Sequence, residues 1–145
     1  MRLPAKSIAI WTLGVLLGIQ VIRPSHANPP TDTSKTFTAI HAPNDPGAAI
    51  LTRACRDCHS NDTRWPWYSQ VAPMSWLVWR DVHEGREHLN FSEWGTYDQE
   101  RRAHEAKAIC NATVDGEMPL WFYLPMHPDA RLTSEDTEQL CGIDQ

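Results

Sequence analysis

CRDCHSNDTRWPWYS, running from Cys55 to Ser69, is the stretch on which the reading of this chain turns. Two cysteines stand three positions apart, a histidine follows Cys58 directly, and Trp65, Pro66, Trp67 and Tyr68 come soon after. Cysteines at this spacing serve thiol redox chemistry, metal clips and cofactor attachment. What surrounds the stretch decides between them.

Outward from it, the periodic segments are helical. No run shows sustained strand-like alternation between turn signals. The first helix is expected from Pro46, a favoured first-turn residue, to about Cys58. The second runs from about Ser75 to Leu89, with Val78, Val82, Gly85 and Leu89 on one face and Trp76 and Trp79 on its shoulder. Gly85 weakens that helix by about 1 kcal/mol relative to Ala, a cost consistent with the close approach of something flat. The third runs from about Tyr97 to Thr113, with Ala103, Ala106, Ile109, Cys110 and Thr113 at helical spacing. The fourth runs from about Ser134 to Cys141, capped by Thr133, with Glu135 and Asp136 at its positive end. Between the last two lies Asp115 to Leu132, with three prolines, two methionines and little periodicity. The fold class is therefore all-α, a small bundle of about four short helices. Such helices bury little on their own. The abundant tryptophan points to a core built around something large and flat.

The N-terminal end belongs to a different physical class. Arg2 and Lys6 precede an uncharged apolar stretch, Ile8 to Ile22, and Ser25-His26-Ala27 places small residues at the two positions a signal peptidase reads. This pattern is an export signal. The apolar stretch is short against the roughly 20 residues of a full span. Cleavage after Ala27 is favoured, and a retained anchor tethering the protein to the inner membrane through residues 8–22 is the alternative. Either way the remainder is expected in the periplasm. Residues 28–46, rich in Pro, Thr, Asn and Asp, are expected to form an extended linker, and 47–145 the folded domain. The formal charge is −5, and loss of Arg2, Lys6 and Arg23 would make it three units more negative. An acidic domain argues against nucleic acid as a partner. It suits a basic protein partner met by electrostatic steering.

A thioredoxin-like pair needs a βαβ setting and usually sits at a helix start, whereas these cysteines fall at a helix end with no strands nearby. Structural zinc needs four ligands, and no second Cys-x-x-Cys or His pair follows. Cys-x-x-Cys-His is the attachment sequence of a c-type haem. Two thiols one helical turn apart can each add to a vinyl group on one porphyrin edge, which directs the adjacent histidine under the iron. Export agrees, because this haem is attached outside the cytoplasm. The expected cofactor is one covalent haem c, held by Cys55 and Cys58 with His59 as an axial iron ligand.

The stretch CHSNDTRWPWYSQVAPMSWLVWRDVHEGREHLNFSEW resembles a family of small exported bacterial haem-binding domain proteins, themselves similar to monohaem cytochromes c. The resemblance is carried by CHSN, the following Thr63, WPWYS, Pro73 with Ser75-Trp76, and Asp81-Val82, Gly85-Arg86 and Leu89 to Trp94. Met118-Pro119, His127-Pro128, Ala130 and Leu132 extend it through nearly all the chain from Ala48 onward. It implies a cytochrome c-like bundle wrapped around one haem. It fixes the cofactor better than the task.

The other axial position is expected to go to Met118, which occupies the family's Met-Pro position and is followed by the stiffening Pro119. Met126, a histidine or an open position are the alternatives. His83, His88 and His104 are expected on the solvated surface, and His127 is expected to tie down its loop. Trp65, Trp67, Tyr68, Trp76 and Trp79 are candidates for the haem pocket. Arg64, Arg80 and Arg86 are candidate charge partners for the propionates, with Arg86 placed among the pocket residues. The free ring nitrogen of His59 is expected to donate to a carbonyl near Pro66 or Pro73. Cys110 and Cys141 are expected to form a disulfide, with two separate thiols as the alternative. The expected function is single-electron transfer by a monomeric, non-enzymatic haem protein with a redox partner protein. A gas or redox sensor, or a peroxidase-like enzyme with an open sixth position, is the alternative.

Overall fold

The computed structural model describes residues 4–41 and 45–143. Arg2 of the export pattern, residues 42–44 of the expected linker and the last two residues of the domain lie outside them. Among the described residues the chain is all-helical, with no β-strand: α1 (Ala5–Ile19), α2 (Phe37–Ile40), α3 (Pro46–Ala54), α4 (Arg56–His59), α5 (Met74–His88), α6 (Gln99–Val114) and α7 (Ser134–Cys141).

Local chemistry starts α3, α6 and α7. Asp45 caps α3 by accepting from the backbone N–H groups of Gly47 and Ala48, and Pro46 supplies a pre-set first turn. Asp98 caps α6 by accepting from Arg101 N–H at 2.8 Å. Thr133 and Asp136 form a reciprocal capping box on α7. The first expected helix differs: it breaks at Cys55, whose φ of −122° and ψ of −29° leave the helical region, and restarts as the single turn of α4. The remaining three expected helices fall where the sequence places them, within a residue or two at each end.

The core gathers Ile50 and Leu51 from α3, Leu89, Phe91, Trp94 and Tyr97 from the segment after α5, Ile109 from α6, and Leu140 and Ile143 from the C-terminal end. Trp94 is 0 % exposed. Phe37 joins them at 2 % exposure and meets Phe91 and Trp94 edge-on. The expected extended linker is thus corrected: its Phe37 is a core side chain, because a ring at the edge of a small core has more apolar surface to cover than solvent permits. Asn28 and Pro30 are bonded to the domain as well. The Asn28 amide donates to the Thr63 carbonyl at 2.9 Å, and the Pro30 carbonyl accepts from the Asn61 amide at 3.3 Å.

Three long-range ties fix the helices. Gly85 lets α5 lie on α4, since a Cβ there would sit 2.9 Å from the carbonyl oxygen of Cys58. What meets this glycine at its Cβ position is the backbone of the turn that carries Cys58, and Gly85 also lines the cavity described below. Arg53 on α3 reaches the C-terminal region, donating to the carbonyls of Asp129 and Arg131 at 2.7 and 3.0 Å and pairing with Asp136 at 2.6 Å. Cys110 on α6 is disulfide-bonded to Cys141 on α7, with the Cα atoms 4.5 Å apart.

The disulfide closes a sequence separation of 31 residues. Replacing both cysteines by serine is expected to lower unfolding stability by about 3–4 kcal/mol in urea titrations. Asp136 gives a second expectation. Its hydrogen bond from Arg53, followed by that from Thr133, holds its pKa down at about 2. The unfolded carboxylate takes up protons first, so the stability it contributes is present above pH ~3.8 and lost as pH falls toward 2. Asp136→Asn is expected to flatten that part of the acid-unfolding curve.

Candidate functional site

The break at Cys55 and the single turn of α4 carry Cys55, Cys58 and His59 onto one wall of a cavity of about 720 Å³. The Cys55 carbonyl accepts from the N–H groups of Cys58 and His59 at 3.2 and 3.0 Å, which closes the turn. Both thiols are free. Burial pushes each to a pKa of about 12, with the neighbouring Cys58 adding to Cys55, and Asp81 and Asp57 adding to Cys58. Burial thus holds both thiols in the protonated form here. Among the described residues no group of three or more His, Cys, Asp and Glu side chains is placed to hold a bare metal ion.

His59 Nδ1 lies 3.2 Å from the carbonyl of Leu89, which makes Nδ1–H the donor and leaves the lone pair on Nε2. The expected partner near Pro66 or Pro73 is corrected to Leu89. The segment after α5 is extended there, with Leu89 at φ −148° and ψ 125°, and presents its carbonyl to the ring. Burial lowers the imidazole pKa, chiefly by desolvation, which keeps the ring neutral and able to ligate. The His59 carbonyl in turn accepts from Phe91 N–H at 2.8 Å, so the residue is gripped by the same segment at side chain and backbone.

A buried polar network extends this grip. Ser92 Oγ accepts from Asn61 N–H at 2.9 Å, the Asn90 amide donates to Asn61 Oδ1 at 2.9 Å, and Asn90 Oδ1 accepts from Ser92 N–H at 3.0 Å. The Tyr97 hydroxyl accepts from Asn90 N–H at 3.0 Å. Sequence reasoning assigned Asn61, Asn90, Ser92 and Tyr97 no role. The available signal was two short polar motifs, one directly after His59 and one after α5.

Of the pocket aromatics expected, Trp67 and Tyr68 line the cavity, with Trp67 71 % exposed. Trp65, Trp76 and Trp79 do not. Trp65 stacks on His26 at 4.4 Å and donates to Asn28 Oδ1, Trp76 donates to the Ile22 carbonyl at 2.8 Å, and Trp79 stacks on His83. Their indoles are used on the upstream segment and the helix surface. Arg86 does not line the cavity either. It donates to the Ser60 carbonyl, Asn28 Oδ1 and Thr63 Oγ1, each at 2.7 Å, so its guanidinium is consumed in holding the chain after His59. Arg64 and Arg80 do line the cavity, paired with Asp57 at 3.3 Å and Asp81 at 3.0 Å respectively.

The remaining wall comes from α6 and the irregular segment after it. Ala108 and Ala112 on α6 present little side-chain bulk to the cavity. The Ala112 carbonyl accepts from both Glu117 N–H at 2.9 Å and Met118 N–H at 3.0 Å. Gly116, at φ 71°, takes the left-handed conformation that this turn requires. Met118 is thereby placed on the cavity, as are Met126 and His127. His127 Nε2 is 2.7 Å from the Tyr68 hydroxyl, and its ring stacks on Tyr123 at 3.9 Å. His83 and His104 are exposed, and His88 is exposed at the cavity rim.

The arrangement offers two protonated thiols and an imidazole Nε2 on one wall, thioether sulfurs on another, and mostly apolar surface between. The donor set fits a haem. The volume falls within the roughly 300–1,000 Å³ of cofactor-sized sites. A family model described as a haem-binding domain matches residues 14–143, so the chain belongs to that family. No curated protein and no solved structure matches it.

Asn90→Ala would leave Asn61 Oδ1 and Ser92 N–H unpaired in a buried site. We expect a loss of about 2–4 kcal/mol of unfolding stability for the two orphaned groups. Guanidinium titration would measure it.

Proposed function

We propose that this member of the haem-binding domain family holds one covalent haem c and passes single electrons in the periplasm. The observation that carries the reading is the lining of one cavity by Cys55, Cys58, His59 and Met118. Cys55 and Cys58 would hold one edge of the group through thioether links, and His59 and Met118 would ligate the iron. The haem would supply an iron that takes up and gives back one electron without bond chemistry.

The chain's own residues have separable tasks. Leu89 fixes the orientation and tautomer of His59 through the ring N–H. The carbonyl of Ala112 fixes the backbone of Met118. Val78, Val82, Leu89 and Ile109 give the cavity an apolar lining, which would disfavour the more highly charged oxidised iron. Exposed Trp67 and Trp121, with an overall acidic charge, suit docking of a basic redox partner protein. A sensor or peroxidase-like catalyst would need an open or displaceable sixth position.

The test separates these readings. Wild type, Met118→Ala and Met126→Ala are matured with haem, and oxidised and reduced spectra are recorded. The wild-type and Met126→Ala proteins are expected to show the weak long-wavelength band of methionine-ligated ferric iron, and Met118→Ala to lose it. An unchanged Met118→Ala spectrum overturns that ligand. High-spin wild-type iron that binds CO readily selects the sensor or enzyme instead. Haem staining after denaturing electrophoresis is expected to vanish in the Cys55→Ser/Cys58→Ser double variant.

A further inference from the structure

We propose that the segment upstream of Asn28 is retained in the working protein, and that α1 is a lipid-embedded anchor held against the domain by a strap of residues 20–28. No residue of α1 is buried. Ile8, Ile10, Trp11, Leu13, Val15 and Leu17 are all exposed, so the helix is apolar all round. In water such a surface has no partner, whereas lipid covers every side of it. Lys6 in its first turn, with Arg2 upstream in the sequence, complements anionic headgroups. At 15 residues α1 measures about 22 Å. Among the described residues no helix is long and apolar enough to cross a membrane, and the exposed Val21 and Ile22 continue the apolar stretch beyond α1. The occupant of this surface is the bilayer.

The strap is what a disposable signal would lack. The Gln20 side chain makes a two-way bond with Ala72, its amide donating to the Ala72 carbonyl at 3.1 Å and its oxygen accepting from Ala72 N–H at 3.0 Å. The Ile22 carbonyl accepts from the Trp76 indole at 2.8 Å. The His26 ring stacks on Trp65, with its Nδ1 2.9 Å from the Gln70 amide. All three strap residues lie before the Ala27–Asn28 bond. Cleavage there would remove these bonds from Ala72, Trp76 and Gln70 and uncover a face of Trp65. Just beyond the bond, Asn28 is pinned by Thr63, Trp65 and Arg86. The family match begins inside α1 and spans the whole strap. These ties reverse the sequence preference for removal at Ala27.

The proposal does not depend on haem attachment, so its test follows the polypeptide. The full chain with a C-terminal tag is produced in a bacterium, membranes are washed with alkaline carbonate, and the mature N-terminus is sequenced. The expected result is tagged protein in the washed membrane with residues 20–27 still attached. A soluble chain beginning at Asn28 overturns the proposal. An uncleaved chain that washes off overturns its lipid-embedded half. For the strap, Gln20→Ala with Trp76→Phe is compared with wild type in isolated membranes under limited proteolysis. Release of the domain by cutting within 20–28 is expected to quicken about fivefold or more, because the strap would open locally. Equal release rates overturn the strap.

Discussion

The pairing of His59 with the segment from Leu89 to Phe91 is the constraint from which the site is built. One carbonyl sets the ring, and one N–H holds the backbone of the same residue. An imidazole offered to a metal must choose which nitrogen to offer, and Leu89 makes that choice. The grip also explains why α5 lies close enough to need glycine at position 85. The segment that holds His59 leaves the end of α5, and α5 can deliver it only by packing its backbone on the turn that carries Cys58.

Much of this was legible in the sequence, and the division between what was and was not has a physical basis. Local signals served well: Thr133 caps α7 as its sequence position suggests, and the second, third and fourth expected helices lie within a residue or two of where periodicity places them. The spacing of Cys55, Cys58 and His59 is equally local, and all three reach the cavity together. Long-range partners were not legible. The carbonyl opposite His59 lies 30 residues on, and every backbone offers carbonyls at each position, so no side-chain pattern marks Leu89. The tryptophans misled for a related reason. An indole has both a large apolar face and a single donor; Trp65 spends both on the chain upstream, and Trp76 spends its donor there. Composition showed that much ring surface had to be covered; it could not show by what.

The motif residues therefore separate into lining and scaffold. Cys55, Cys58, His59, Trp67, Tyr68 and Met118 face the cavity. Asn61, Asn90, Ser92 and Arg86 face one another or the backbone, and their polar groups are satisfied within the protein. A buried network of this kind tolerates little partial loss, since each member removed orphans another. Arg86 shows how easily charge is misread. A guanidinium near an anionic cofactor looks like its counter-ion, but all three of its bonds here go to neutral oxygens of the chain.

The Ala112 carbonyl that holds Met118 belongs to a longer mechanical circuit. Met118 hangs from α6, α6 is joined to α7 by Cys110–Cys141, α7 is held to α3 through Asp136 and Arg53, and α3 leads directly into the turn that carries His59. The two walls are thus braced by a path of covalent, ionic and hydrogen bonds that runs entirely through protein. Their separation does not rely on whatever lies between them. Under the electron-transfer role proposed above, such bracing would keep the nuclear rearrangement per electron small, because the frame is set by the protein itself.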